Sequence, residues 1–383
     1  MQKATRQQTK DHNTRLVLKT IFDQGELSRA DIARITGLTR PTVSTIVADL
    51  LASDYVIETG IGPSVGGKPP TFLAVKETGR QLICLDLSGA EFRGALVDLQ
   101  GTIIHRVTSQ LADRRGEAVL ATAADMVASL QSIASAPVLG IAVATPGLVD
   151  PRNGVVLRAV NLDWRDMPLR SQFEDQFGVP VHVANDSHLA ALAEFTFGPE
   201  RPSRNLITIR VGQGIGAGIV LNGQPFYGDG FGADEIGHVV VAHNGELCSC
   251  GNFGCLETTS STRAMLRQAH MLAGDPITSW EAFVDAVQAG NEAATNIVAG
   301  AGRHLGAAVA NLIGGFNITT IILAGRISQL GDALLDPMRS EMRHRVLPSM
   351  ADETTVAFST LGSDIIVLGG SALLLQRELG IVG

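Results

Sequence analysis

Residues 235–257 read EIGHVVVAHNGELCSCGNFGCLE. Within this stretch His238, Cys248, Cys250 and Cys255 stand in the spacing H-x9-C-x-C-x4-C, with glycines at 251 and 254 between the last two cysteines. One imidazole and three thiolates are the donor set of a closed tetrahedral zinc site, and a loop this short needs such a staple. Four protein ligands leave no open coordination position, so the zinc is expected to be structural and not the catalyst. Unrelated buried cysteines would not cluster in this way. The metal also positions two carboxylates, Glu235 just before His238 and Glu257 just after Cys255. Carboxylates that accept from vicinal hydroxyls suit a sugar, and with one ring nitrogen of His238 on zinc the other N–H is oriented to donate to a sugar oxygen.

Outward from the loop, residues 206–211 and 215–221 read as strands around Gly212, Gly214, Gly216 and Gly218. Glycine at strand ends lets backbone approach a ligand, although tight sheet packing would explain some of these residues as well. Upstream, strand-like segments at 82–87, 92–98 and 103–109 precede a helical stretch near 117–133 and a buried strand at 138–144. A second series begins at 206 and closes with a strand at 318–323 and a helix at 365–375. Two mixed α/β lobes with a ligand cleft between them are the natural expectation. Asn185 and Asp186 follow an apolar strand, 181–184, and precede a helix expected to begin near Ser187, which puts them at a strand's C-terminal mouth. Asp186 suits a general base or a helix cap equally well.

The first 80 residues have a different character. Apolar Leu16, Val17, Ile21 and Phe22 mark one face of a helix over 11–24, with Gly25 as its stop. Ser28 caps a short helix ending at Gly37, and Thr39 or Arg40 caps a third with Pro41 in its first turn. Val43, Ile46, Val47, Leu50 and Leu51 form the buried stripe of that third helix, leaving Arg40, Thr42, Ser44 and Thr45 to face a major groove. Strands at 55–57 and 71–75 enclose Gly66, Gly67 and Lys68 as a wing, with Lys68 able to reach phosphate. An amphipathic helix trio alone would also suit a protein-interaction module, but the short helix, glycine turn and capped third helix occur in helix-turn-helix order.

Charge follows the same division. The chain carries a net charge of -8, yet residues 1–80 hold 11 Lys or Arg against 8 Asp or Glu. A basic head therefore sits on an acidic body, which permits phosphate contact by the head alone. Hydrophobic residues at 45% and charged ones at 18% belong to a folded protein and exclude a disordered chain. With no membrane-length apolar run, a polar N-terminus and four cysteines of which three cluster, a reducing cytoplasm without membrane insertion is the expected location.

Together these residues resemble the ROK family, named for repressors, open reading frames and kinases, over nearly the whole chain. The landmarks are 27–47 (LSRADIARITGLTRPTVSTIV), 144–150 (ATPGLVD), 161–169 (NLDWRDMPL), Asn185-Asp186, 235–238 (EIGH) and 248–257 (CSCGNFGCLE). The resemblance implies an α/β chain in which an N-terminal winged helix-turn-helix, residues 1–78, precedes a two-lobed actin-like (RNase H-like) sugar-kinase fold, residues 79–383. Lobe one is expected at about 79–190 plus a C-terminal helix 364–383, and lobe two at about 191–363. It further implies that Asn161, Asn185, Asp186, Glu235, His238 and Glu257 contact sugar hydroxyls, with Asp186 the base in members that are kinases.

Three departures fall on the nucleotide side. The family's D-x-G-G-T loop is Asp86, Leu87, Ser88, Gly89, Ala90 here; Gln213 replaces the threonine of G-T-G-I-G; and a G-G-G run has become Ala324, Gly325, Arg326. ATP is therefore not expected as a cofactor. The expected function is a sugar-responsive repressor of carbohydrate-utilisation genes, a homodimer or higher homo-oligomer on a roughly palindromic DNA operator with a sugar effector. An ATP-dependent sugar kinase (hexokinase-like) with an appended regulatory head is the alternative that Asp186 and the surviving glycines keep open. Some family members read a protein partner such as a sugar-transport component, a third option.

Overall fold

Helix α1, Arg6–Gln24, begins well before the apolar periodicity does. Its N-terminus is set by a capping box, with Thr5 Oγ1 accepting from Gln8 N at 3.2 Å and Gln8 Oε1 accepting from Thr5 N at 2.8 Å. Those first turns are exposed and polar, so hydrophobic patterning is silent on them. Helix α2, Arg29–Thr36, is capped by Ser28 and closed by left-handed Gly37. Helix α3, Arg40–Ala52, takes Thr39 as its cap. Val17, Leu18 and Ile21 of α1, Ile32 of α2 and Val43, Ile46, Val47 and Leu50 of α3 are buried where the three helices pack. Leu27–Ser28 and Val56–Ile61 flank Thr71–Val75 in a three-stranded antiparallel sheet. The wing's first strand thus runs on to Ile61, past the expected end at residue 57, through a bulge at Glu58/Gly60.

The computed structural model describes residues 5–62, 69–110, 115–199, 204–233, 235–271 and 277–382, so Lys68 and the wing tip lie outside the described residues. The chain divides into two compact units, Met1–Asp186 with Gly370–Gly383, and Ser187–Gly369.

Beyond the head, the first unit is built on a five-stranded sheet in the order Val181–Asn185, Val138–Thr145, Gln81–Asp86, Phe92–Val97, Ile103–Ser109. The first three strands are mutually parallel and the last two antiparallel. Helix Gly116–Ser132 covers one face. Every residue of Gln81–Asp86 is buried, as a central strand requires. Core side chains such as Leu85, Phe92, Leu130, Ile141 and Phe173 are each fully or almost fully buried and contribute about 1.5–3 kcal/mol apiece.

The second unit repeats the plan with the sheet Gln224–Pro225, Ile215–Leu221, Leu206–Val211, Thr320–Ala324, Thr355–Phe358. The long helix Glu292–Phe316 packs against Asp332–Arg343. Gly218, one of the glycines with two readings, serves packing: a Cβ there would lie 2.1 Å from the Ser187 carbonyl oxygen. Among the described residues no helix is long and apolar enough to cross a membrane.

Candidate functional site

The loop after His238 is a knot of backbone pairing. Val240 bridges Cys255 and Leu247 bridges Phe253, while Val241 N donates to Gly254 O at 2.9 Å and Gly254 N to Glu246 O at 2.9 Å. Cys248 N donates to Asn252 O and Gly251 N to Cys248 O, a tight turn that swings Cys250 back toward its neighbours. The result brings the ligand atoms of His238, Cys248, Cys250 and Cys255 within 4.8 Å of one another.

A tetrahedral zinc with Zn–S of about 2.3 Å and Zn–N of about 2.0 Å sets S···S at about 3.8 Å and N···S at about 3.5 Å. The chain places Cys250 Sγ 3.6 Å from Cys255 Sγ and His238 Nδ1 3.4 Å from Cys248 Sγ. Donor chemistry and spacing therefore fit a four-coordinate metal ion. Burial pushes the Cys255 thiol up to about 12, whereas the backbone N–H of Asn252 draws Cys250 down, so a bound cation is what would deprotonate Cys255.

With Nδ1 turned to the sulfurs, His238 Nε2 faces Glu235 Oε2 at 3.6 Å. Glu257, in the short helix Leu256–Ser260, accepts from Ile215 N at 3.2 Å through Oε2 and from the Arg263 guanidinium at 3.2 Å through Oε1. It thereby joins the metal knot to the glycine hairpin, whose Gly212 carbonyl also accepts from Thr262 N. A carboxylate has about four acceptor sites, so Glu257 keeps capacity for hydroxyl donors. Glu235, His238 and Glu257 belong to one unit; Asn161, Asn185 and Asp186 belong to the other.

In the first unit Asn185 and Asp186 end the parallel strand Val181–Asn185, and both are buried. Helix Asp186–Phe197 starts on Asp186 itself, so its carboxylate sits in the first turn, where the helix dipole favours negative charge. Asn185 Nδ2 donates to Gly147 O at 3.0 Å. Gly147, at φ 81, lies so close to strand Val155–Ala159 that a Cβ would come 2.2 Å from Arg158 O. That strand leads into the turn Val160–Leu162, which carries exposed Asn161. Gly147 acts through Asn185, far along the chain, with only the Pro146-Gly147 pair to hint at a turn, and Arg263 lies six residues from Glu257 with no motif to mark the pair.

The three segments that depart from the family pattern differ in setting. Asp86 Oδ1 accepts from Ser88 N at 2.9 Å and from Ser88 Oγ at 2.6 Å. Gln213 is exposed at the hairpin tip, and Arg326, after Gly325 at φ 107, pairs with Glu281.

On α3, Arg40, Ser44 and Thr45 are exposed and Thr42 is half-buried. Thr42 Oγ1 shares a 2.8 Å hydrogen bond with Thr39 Oγ1, and Thr45 Oγ1 donates to Pro41 O at 3.1 Å. Two of the four candidate reading groups therefore already have a partner for their hydroxyls.

Residues 82–377 match the ROK family, and residues 10–57 match the winged helix-turn-helix DNA-binding family. The chain is 31% identical to the xylose repressor of Bacillus spizizenii over 97% of this chain and 96% of that protein. It is 32% identical to a glucokinase of Halalkalibacterium halodurans over 78% of this chain and 96% of that one. The crystal structure of a ROK family transcriptional regulator, a homologue of the E. coli MLC protein, superposes with a TM-score of 0.87 at 29% identity, covering 97% of this chain and 98% of its own.

Proposed function

Because the chain belongs to the ROK family and carries a winged helix-turn-helix head, we propose that it is a sugar-responsive transcription repressor that binds its sugar without phosphorylating it. The observation that carries this reading is the extent of the similarity: the xylose repressor matches head and body alike, whereas the glucokinase matches a smaller share of the chain. The hydroxyl partners of the sugar are Asn161, Asn185, Asp186, Glu235, His238 and Glu257. Zinc on His238, Cys248, Cys250 and Cys255 is structural: when bound, it supplies a fixed cross-link that holds Glu235 and Glu257 in place. Arg40, Thr42, Ser44, Thr45 and Lys68 contact DNA, and a homodimer presents two heads to a palindromic operator.

A thermal-shift screen against pentoses, hexoses and N-acetylhexosamines tests the sugar half, since a ligand of the native state raises the melting temperature. D-Xylose leads the panel. A panel without a single shift overturns the reading. The retained Asp186 favours one second reading, an ATP-dependent sugar kinase. A coupled ATP assay on the same panel decides: turnover that disappears in Asp186→Asn establishes the kinase, and its absence leaves the sensor.

A further inference from the structure

The last residues of the chain join the sugar-hook strand to the DNA head, entirely within the first unit. Strand Val181–Asn185 ends on Asn185 and Asp186, and near its start it carries His182. His182 Nε2 lies 2.6 Å from Glu378 Oε1, in the π-helical turn Leu375–Leu379 that follows helix Ile365–Leu374. An ionised carboxylate only accepts, so Nε2 carries the proton and donates.

Just beyond Glu378, Gly380 adopts the left-handed conformation at φ 66 against α1: a Cβ there would come 2.9 Å from Arg15 Cδ. The Ile381 carbonyl then accepts from Lys19 Nζ at 3.3 Å. Ile381 and Val382 are buried. Arg15 and Lys19 are one turn apart on the same face of α1, while Val17 and Ile21 on the opposite face are buried where α1 meets α2 and α3. Helix α1 is thus held by the C-terminal tail on one side and by the DNA-reading module on the other.

We propose that the turn Leu375–Leu379 and its tail form a latch through which sugar at Asn185 and Asp186 changes DNA affinity. The latch rests on the sugar-responsive reading above. A ligand that shifts the end of strand Val181–Asn185 moves His182 with it, and a single residue, Leu379, separates the carboxylate that His182 grips from the glycine seated on Arg15. Coupling needs an element whose packing both sites bias, and the turn with the tail behind it contacts both the strand that ends in Asn185 and helix α1.

The test compares wild type with Glu378→Ala, Glu378→Gln, Lys19→Met and Asp23→Asn, using the sugar giving the largest thermal shift and a duplex selected from a random pool by the wild-type protein. Sugar is expected to change the wild-type duplex Kd by about 5–150-fold, the usual range of such coupling. Glu378→Ala and Lys19→Met reduce that change to under about 3-fold, while sugar Kd and sugar-free duplex Kd stay within about 3-fold of wild type. Glu378→Gln, whose amide oxygen accepts the same hydrogen bond, keeps the effect. Asp23→Asn, which removes only the negative charge that Lys19 meets within α1, keeps it too. Lys19→Met, at a partly exposed position, decides the matter if Glu378→Ala loses its fold. An undiminished sugar effect in Lys19→Met overturns the latch alone. A wild type whose DNA binding ignores sugar overturns the repressor reading and the latch with it.

Discussion

Two glycines in the metal loop separate backbone strain from steric exclusion. Gly251, at φ 96, has open space where a Cβ would project, whereas a Cβ on Gly254, at φ 74, would lie 1.7 Å from the Ala242 carbonyl oxygen. Gly251→Ala therefore costs only the left-handed backbone penalty of about 1–2 kcal/mol. Gly254→Ala adds a clash that no rotamer relieves, because both partners are backbone. The pairing of Val241 N and Ala242 N with Gly254 O must open, and Cys255, the next residue, moves with it. We expect a total above about 3 kcal/mol together with loss of the metal site. At about 2–4 °C per kcal/mol for a unit of this size, Gly251→Ala lowers the melting temperature by about 2–8 °C and Gly254→Ala by at least about 6–12 °C. Zinc content per chain, measured with a colorimetric chelator, stays near stoichiometric in the first variant and collapses in the second. Stoichiometric zinc in Gly254→Ala, with a melting temperature equal to that of Gly251→Ala, would refute the reasoning.

Val47→Ala removes two methyl groups from a fully buried site in the head and should destabilise that module by about 2 kcal/mol, lowering duplex affinity while the thermal transition of the second unit, followed by Trp280 fluorescence, stays put. Arg40→Ala should weaken the selected duplex by about 1–3 kcal/mol and a scrambled duplex much less; equal losses on both would show that Arg40 contacts phosphate and not a base. Hydrogen bonds from Ser28, then Arg34, hold the Asp31 carboxyl below its ordinary 3.8. A carboxyl depressed in the folded state stabilises above its unfolded value and loses that contribution as pH falls through the folded one. Asp31→Asn should accordingly lower head stability at pH 7 and match wild type near pH 2 in denaturant titrations; a constant difference between the two pH values would remove Asp31 as the origin.

What could be seen in the sequence was what lies close together along it. The four candidate metal ligands span fewer than twenty residues, and the short helix, Gly37 turn and capped α3 are contiguous. Local chemistry therefore announced both, and apolar runs of strand length announced the sheets. Features made by distant partners stayed hidden. Glu257 reaches Ile215, Asn185 reaches Gly147, and the tail reaches Arg15 and Lys19, none of which leaves a periodic trace. Exposure hid others: the opening turns of α1 and most of Val56–Ile61 bury nothing, so neither helical nor strand alternation marks their ends. Glycine was ambiguous for a different reason. Close approach to a ligand and close approach to a neighbouring helix demand the same missing Cβ, and only the Ser187 carbonyl shows which demand Gly218 answers.

The same doubling of roles explains why Asp186 can persist beside altered nucleotide segments. A buried carboxylate in the first turn of helix Asp186–Phe197 gains from the helix dipole, about 0.3–1 kcal/mol in exposed settings and more when partly buried. It also offers acceptor sites to hydroxyl donors, which a sensor needs as much as an enzyme does. Neither role involves proton transfer. The segments that depart from the family pattern are engaged locally: Ser88 folds back on Asp86, Gln213 is exposed and Arg326 is held by Glu281. Retention of Asp186 therefore suits the proposed sensor as well as an enzyme.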